Sequence, residues 1–249
     1  MNKPPHPPNL LLPAGRRGSK SPLSQQTRGA KVATTGARLG VGGEVGSILE
    51  KLEQQSLKSP ERTAKIDYAV ERRQPTLTVV LENIHDPHNV NAILRSCDAV
   101  GVLKVHLVYY IEEFPKLAHT TSSGAYKWLE YEKHTSIEAC IERLHSDGFH
   151  VLATKLDPAA KPLYANDLTQ PTAFILGNEH RGVSERAAGL ANDLLYIPMM
   201  GMAESLNVSV ASAVCLFEAF RQRQGTGIYE TPQLSSEALR SKRLEWLMK

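Results

Sequence analysis

The sequence predicts an α/β fold: a mostly parallel sheet with helices on both faces. Three observations carry that prediction. From Thr76 onward, short apolar runs rich in β-branched residues alternate with helical patterns. The helical stretches show apolar residues at a spacing of three and four, one stripe each. Polar clusters, two of them bearing glycine, directly follow three of the strands, and open α/β sheets bind ligands at strand ends.

Residues 1–45 are a different material. Prolines, glycines, Ser and Thr dominate, and there is no acidic residue before Glu44. The basic residues are Lys3, Arg16, Arg17, Lys20, Arg28, Lys31 and Arg38. This composition predicts a disordered basic tail, a loose arm for RNA. Two other readings of it stay open, an organelle transit peptide and a mis-assigned start.

Residues 46–75 are expected to form an N-terminal helical extension. Gly46 to Leu57 is a short helix and Glu61 to Arg73 a better one, ended by Pro75. Ala64, Tyr68 and Ala69 are expected on the apolar face of the second helix, with Arg62, Lys65, Arg72 and Arg73 making it basic. That basic face is either solvated or a clamp for phosphates.

Residues 76–224 carry the strand–helix alternation. Thr76 to Leu81 (TLTVVL) is the first strand, and Asp86-Pro87 breaks it. Val90, Ile93, Leu94 and Cys97 form the stripe of the next helix, with Asn89 as its expected cap and Asn91 and Arg95 sharing a face. Gly101 closes that helix. Leu103 to Tyr109 is the second strand, Ser136 to Ser146 a helix, Phe149 to Thr154 the third strand and Thr172 to Leu176 the fourth. Ser184 caps a helix beginning at Glu185, and Leu194 to Ile197 is the fifth strand. Asn207 to Gln222 is a long helix whose first half is apolar on most faces, so deep burial is expected there. Residues 225–249 are a C-terminal helical extension, with Leu239, Leu244 and Leu247 expected to face inward.

Composition bounds the function. Apolar content of 41% over 249 residues supports a core, and a net charge of +3 permits a nucleic-acid partner without demanding one. Cys97, Cys140 and Cys215 are far apart, with no CxxC or Cys/His spacing, which argues against a zinc site and a disulfide framework. They read as reduced core thiols of a cytosolic protein. No apolar run reaches the ~18 residues of a membrane span. There is no GxGxxG, no GxxxxGK[ST] and no GxSxG, which argues against a dinucleotide enzyme, a nucleotide triphosphatase and an α/β-hydrolase.

The three strand-end clusters are Asn89 to Arg95, Gly177-Asn178-Glu179 through Gly182-Val183-Ser184, and Ile197-Pro198-Met199 through Ser205-Leu206-Asn207 into Val208-Ser209-Val210-Ala211. In a parallel sheet all three fall on one carboxyl edge. Met199, Met200 and Met202 are read as packing. In order and spacing the clusters resemble the three motifs of the SpoU/TrmH branch of the SPOUT RNA methyltransferases, over residues 61–249. The flanks Arg72-Arg73-Gln74-Pro75 and Arg221-Gln222-Arg223-Gln224, with the Tyr229 to Trp246 tail, resemble the members that act on the tRNA D-loop.

That resemblance implies a C-terminal trefoil knot, a homodimer, and S-adenosylmethionine as cofactor, with no metal. It implies 2′-O-methylation of the guanosine 18 ribose in tRNA. By position, Arg95 would be the catalytic arginine and Asn89 its motif partner, with Glu179, Ser205 and Asn207 lining the site. Thr154, Gly177, Ile197 and Leu206 would hold the cofactor, largely through backbone groups. Arg73, Arg221 and Arg223 would contact tRNA, joined by Arg62 and Lys65. Structural roles stand beside these: Glu179 as an acid bonded to loop amides, and Ser205 and Asn207 as helix caps. Arg95 either stabilises a developing alkoxide as a cation or acts as a base after a large pKa shift. Two other functions stay open, methylation of ribosomal RNA and a non-catalytic RNA-binding protein.

Overall fold

Strand β1 (Leu77–Glu82) is buried at every position and lies inside the sheet, third of its seven strands. Beside it lie β2 (Lys104–Val108) and then β3 (Glu130–His134). On its other side come β6 (Thr172–Leu176), β4 (His150–Thr154), β7 (Asp193–Tyr196) and the short β5 (Lys161–Pro162). The order is β3-β2-β1-β6-β4-β7-β5, and every neighbouring pair is parallel. This is a computed structural model, and it describes residues 59–114 and 124–249. The basic tail and the helix expected over Gly46 to Leu57 lie outside the described residues.

Helices cover both faces, as predicted. Leu77, Val79 and Leu81 of β1 pack with Val90, Ile93, Leu94 and Cys97 of α2 (Pro87–Ala99) and Cys215, Leu216 and Ala219 of α5 (Val208–Gly225). Val80 points the other way. It packs with Ile137, Cys140, Ile141 and Leu144 of α3 (Ile137–Ser146) and Ala187 of α4 (Glu185–Leu190). One strand with alternate residues in two apolar layers is the signature of a doubly covered sheet. Two strands went unforeseen. EYEKH of β3 has no apolar alternation and lies at the sheet edge, and β5 is two residues in a polar loop.

The terminal helices pack on each other. In α1 (Pro60–Glu71), Ile66 and Val70 are buried against Trp246 and Leu247 of α6 (Ser236–Met248), with Ala69 and Leu239 partly buried alongside. The expected faces shift accordingly: Ala64 and Tyr68 are exposed, and Trp246 takes the place assigned to Leu244. The cap of α2 is also corrected. The Asp86 carboxylate accepts from the His88 amide at 2.8 Å, with Pro87 at the first helical position, so Asn89 lies inside the first turn. The first half of α5 is not deeply buried in the single chain. Ser212 is buried, but Val210 is 48% exposed and Val208, Ala211 and Val214 are half-buried.

Candidate active site

The carboxyl ends of β4, β6 and β7 open onto one cleft of about 450 Å³. Thr154 ends β4, Gly177 follows β6 and Ile197 follows β7, so adjacent strands deliver all three. Glu179, Ser205, Leu206 and Asn207 complete the wall with Met199, Val208 and Ala211. Seven of the predicted residues therefore line one cavity: Thr154, Gly177, Glu179, Ile197, Ser205, Leu206 and Asn207.

The loop after β6 is held closed on itself. The Gly182 amide donates to the Asn178 carbonyl at 2.8 Å, and a Cβ on Gly177 would sit 2.1 Å from the backbone of Gly182 and Val183. Only glycine lets the two strands of this loop pass. The Asn178 Nδ2 group donates to the Asn83 carbonyl at 2.8 Å, while its Oδ1 accepts from the amides of His180 and Arg181.

Glu179 joins the first cluster to the second. Its carboxylate accepts from the His85 amide at 2.9 Å, the Asp86 amide at 3.0 Å and Asn89 Nδ2 at 2.9 Å. Burial pushes this carboxyl up, but the three hydrogen bonds together outweigh burial and hold it below the ordinary range. Asn89 Oδ1 then accepts from Asn207 Nδ2 at 3.1 Å. Asn207 Oδ1 also caps α5, accepting from the Ser209 amide at 2.8 Å. The capping and site roles of Asn207 therefore coexist. The chain Glu179–Asn89–Asn207 ties all three sequence clusters into one polar network.

Arg95 stands apart from the cleft wall. It is exposed on α2 in line with His88, Ala92 and Ala99, and pairs with no carboxylate among the described residues. Met199 is half-buried in the cleft as packing predicts, but Met200 and Met202 are 97% and 99% exposed and pack on nothing among the described residues.

The expected RNA contacts divide. Arg62, Lys65 and Arg221 are exposed, the last paired with Glu218 through two hydrogen bonds of 2.8 and 2.7 Å. Arg73 and Arg223 are corrected: they are 2% and 0% exposed. Arg73 donates to the Val102 carbonyl at 2.7 Å, pairs with Asp98 and lies over the Trp246 ring. Arg223 donates to the carbonyls of Leu168, Thr76 and Gln170 and to the side chains of Gln74 and Thr76, so it fastens the starts of β1 and β6 together. Guanidiniums buried this deeply and already bonded within the fold cannot reach a phosphate.

Sequence reasoning passed over Asn83 and Glu82. Asn83 adopts φ 50°, and its Oδ1 accepts from the amides of Tyr110, Ile111 and Glu112, fixing the loop after β2. Glu82 is buried and accepts from the Ser184 amide and hydroxyl and from the Tyr110 hydroxyl. A glutamate ending a buried apolar strand was the available signal for it.

A model of the SpoU rRNA methylase family matches residues 76–217. The chain is 45% identical over 192 residues to a tRNA (guanosine(18)-2′-O)-methyltransferase of Thermus thermophilus, covering 77% of this chain and 98% of the relative. Its structure is similar to that of the A. aeolicus TrmH/SpoU tRNA modifying enzyme, with TM-score 0.71 and 35% identity over 81% of this chain and 97% of that one. It is also similar to the SpoU methyltransferase AviRb from Streptomyces viridochromogenes in complex with AdoMet, with TM-score 0.54 and 27% identity over 62% and 59% of the two chains.

Proposed function

The chain belongs to the SpoU methylase family, and from that premise we propose that it transfers a methyl group from S-adenosylmethionine to the ribose 2′-OH of guanosine 18 in tRNA. The observation that carries this reading is the convergence of three separated sequence clusters on one cleft through Glu179, Asn89 and Asn207. The tRNA substrate is supported by the relatives named for it, one of which matches over 98% of its length.

The cleft fits the cofactor by its chemistry. Ile197, Leu206, Val208 and Ala211 offer an apolar wall for an adenine, while Thr154, Glu179, Ser205 and Asn207 offer polar groups for ribose, amine and carboxylate. Gly177 leaves backbone close to the cavity where any side chain would collide. When bound, S-adenosylmethionine supplies an electrophilic methyl on a sulfonium.

The protein's part is positioning and charge. An in-line displacement gains much of its rate from holding the 2′-OH on the axis of attack. The Glu179–Asn89–Asn207 network fixes the loops that do so. The hydroxyl loses its proton to water or an RNA phosphate, and Arg95 stabilises the developing alkoxide as a cation, since a guanidinium is a poor base at neutral pH. Arg62, Lys65 and Arg221 are the exposed cations offered to the RNA backbone.

The reading includes a homodimer and the family's trefoil knot. The uncovered apolar surface of Val210, Phe217 and Leu206 supports the dimer, because monomers seldom leave such a face to water. The meeting of the loops after β4, β6 and β7 supports the knot. Three buried free thiols support a reducing, cytoplasmic setting.

The test is transfer of labelled methyl to unmodified tRNA transcripts, followed by mapping of the labelled nucleotide. The wild-type protein is expected to label the ribose of guanosine 18. Arg95→Ala is expected to lose about 10²–10³-fold in rate while still binding cofactor. Label on ribosomal RNA instead of tRNA would overturn the substrate, and an undiminished rate in Arg95→Ala would remove that residue from the chemistry.

A further inference from the structure

A second cluster of ligand-type side chains lies at the opposite side of the sheet. His106 of β2, His134 of β3 and Cys140 of α3 bring their ligand atoms within 4.8 Å of one another. His106 Nδ1 and His134 Nε2 are 2.9 Å apart, with the rings stacked at a centroid distance of 5.1 Å. His106 and Cys140 are buried and His134 is half-buried. None of the three lines the cleft.

The register explains the cluster. His106 pairs with Glu132, so Glu132 and His134 project from β3 on the face of the sheet that carries His106. Cys140 comes down onto that face from the first turns of α3, where Ile137, Cys140, Ile141 and Leu144 form the buried stripe. The Glu132 carboxylate divides its two oxygens: Oε2 accepts from Lys104 Nζ at 2.8 Å, and Oε1 lies 3.9 Å from His134 Nε2. Glu132 is the partly exposed member, at 30% of its side chain, and so marks the way in.

We propose that His106, His134 and Cys140, with Glu132 as the fourth ligand, form a binding site for a divalent transition metal of the zinc class. Two imidazoles, a thiolate and a carboxylate are the donor types such ions take in tetrahedral sites. Tetrahedral zinc, with bonds of about 2.0–2.3 Å, sets its ligand atoms about 3.3–3.8 Å apart, so the atoms of His106, His134 and Cys140, all within 4.8 Å of one another, shift by about 1 Å and the Glu132 carboxylate turns in from 3.9 Å off His134 Nε2. The thiolate and carboxylate balance the ion's charge. Lys104 keeps its bond to the far oxygen of Glu132 and orients the carboxylate, as outer partners of metal ligands do. Three other charges face the cluster: Arg143 and Asp147, paired with each other at 2.9 Å, and the buried Glu82, held by Ser184 and Tyr110. Burial, followed by the neighbouring His134, lowers His106 to about 4, so that ring is a neutral donor at physiological pH. Burial raises the Cys140 thiol to about 12, and coordination would release its proton to solvent.

This site would brace the edge of the sheet, since it joins β2, β3 and α3. It does not depend on the methyltransferase reading. The experiment is titration of the metal-free, full-length protein with Co²⁺, following thiolate-to-cobalt charge-transfer absorption, then displacement by Zn²⁺. The expected result is saturation at one equivalent, with loss of the band in Cys140→Ser and its retention in Cys97→Ala and in Cys215→Ala. His134→Ala should weaken binding at least tenfold, and zinc should raise the melting temperature of the wild type but not of His134→Ala. Circular dichroism of each variant separates loss of ligand from loss of fold. If Cys140→Ser does not fold, His134→Ala with the same band readout decides. No thiolate band at saturating Co²⁺, or a band that survives Cys140→Ser, would overturn the site.

Discussion

Glu179 shows how one residue in the cleft wall ties distant segments together. Its three hydrogen bonds each span ninety or more positions of chain, and the sequence offered two roles for it, loop acid or ligand residue. The structure favours an acid that shapes the site through Asn89. Because its folded pKa lies below the ordinary glutamate value of about 4.5, its stabilisation is complete above pH 4.5 and fades as pH falls through the folded value. Glu179→Gln should therefore cost about 1 kcal/mol near neutrality, at the low end for bonds to a charged group because the residue is only half-buried. Thermal melts at both ends of this range check it: the wild-type advantage should shrink as pH drops below 4.5. An advantage that grows in acid would mean that Glu179 is not held ionised by these amides. By residue type Asn89 and Asn207 read as helix caps, and only the family resemblance named them as candidate site residues. Their direct bond was legible in neither, since they are 118 positions apart.

At the scale of elements, the strands and helices with strong periodicity were legible and the faces of weak ones were not. β1, β6 and α2 follow from their apolar patterns alone. In α1, Ala64 and Tyr68 looked apolar enough to face inward, but Trp246 of α6 selected Ile66 and Val70 instead. The same blindness applies to Arg73 and Arg223. Sequence shows basic residues flanking the domain, and only packing reveals that both are buried. Arg223 donates five hydrogen bonds, three of them to carbonyls at the starts of strands and loops. Arg223→Leu strips those acceptors of their partner and should cost about 3–5 kcal/mol. Urea denaturation without RNA measures this. A wild-type midpoint in the variant would return Arg223 to the surface contacts first expected of it.

For the whole molecule, the informative feature is what the single chain leaves uncovered. The first half of α5 is apolar by sequence, yet Val210 and Phe217 are 48% and 49% exposed, and Met200 and Met202 stand in solvent nearby in the chain. A second copy is the occupant this reading requires. The double variant Val210→Glu, Phe217→Glu should shift the protein from dimer to monomer, as read by sedimentation or light scattering, with its helical content kept. A wild-type protein that is already monomeric at micromolar concentration would remove the dimer and leave these residues for RNA or another protein.

The sequence by itself determined the layered α/β class, the order of the three polar clusters and the cleft residues Thr154, Gly177, Ile197 and Leu206. The first two follow from periodicity and from the polar residue types at strand ends; the cleft residues were named on the resemblance to the SpoU/TrmH branch. Tertiary structure alone decided which arginines face water, which face of α1 is buried, and that His106, His134 and Cys140 meet. Those outcomes depend on strand register and on contacts between distant segments. Register fixes which side of a sheet each side chain takes, and β3 carries no apolar alternation from which it could have been read.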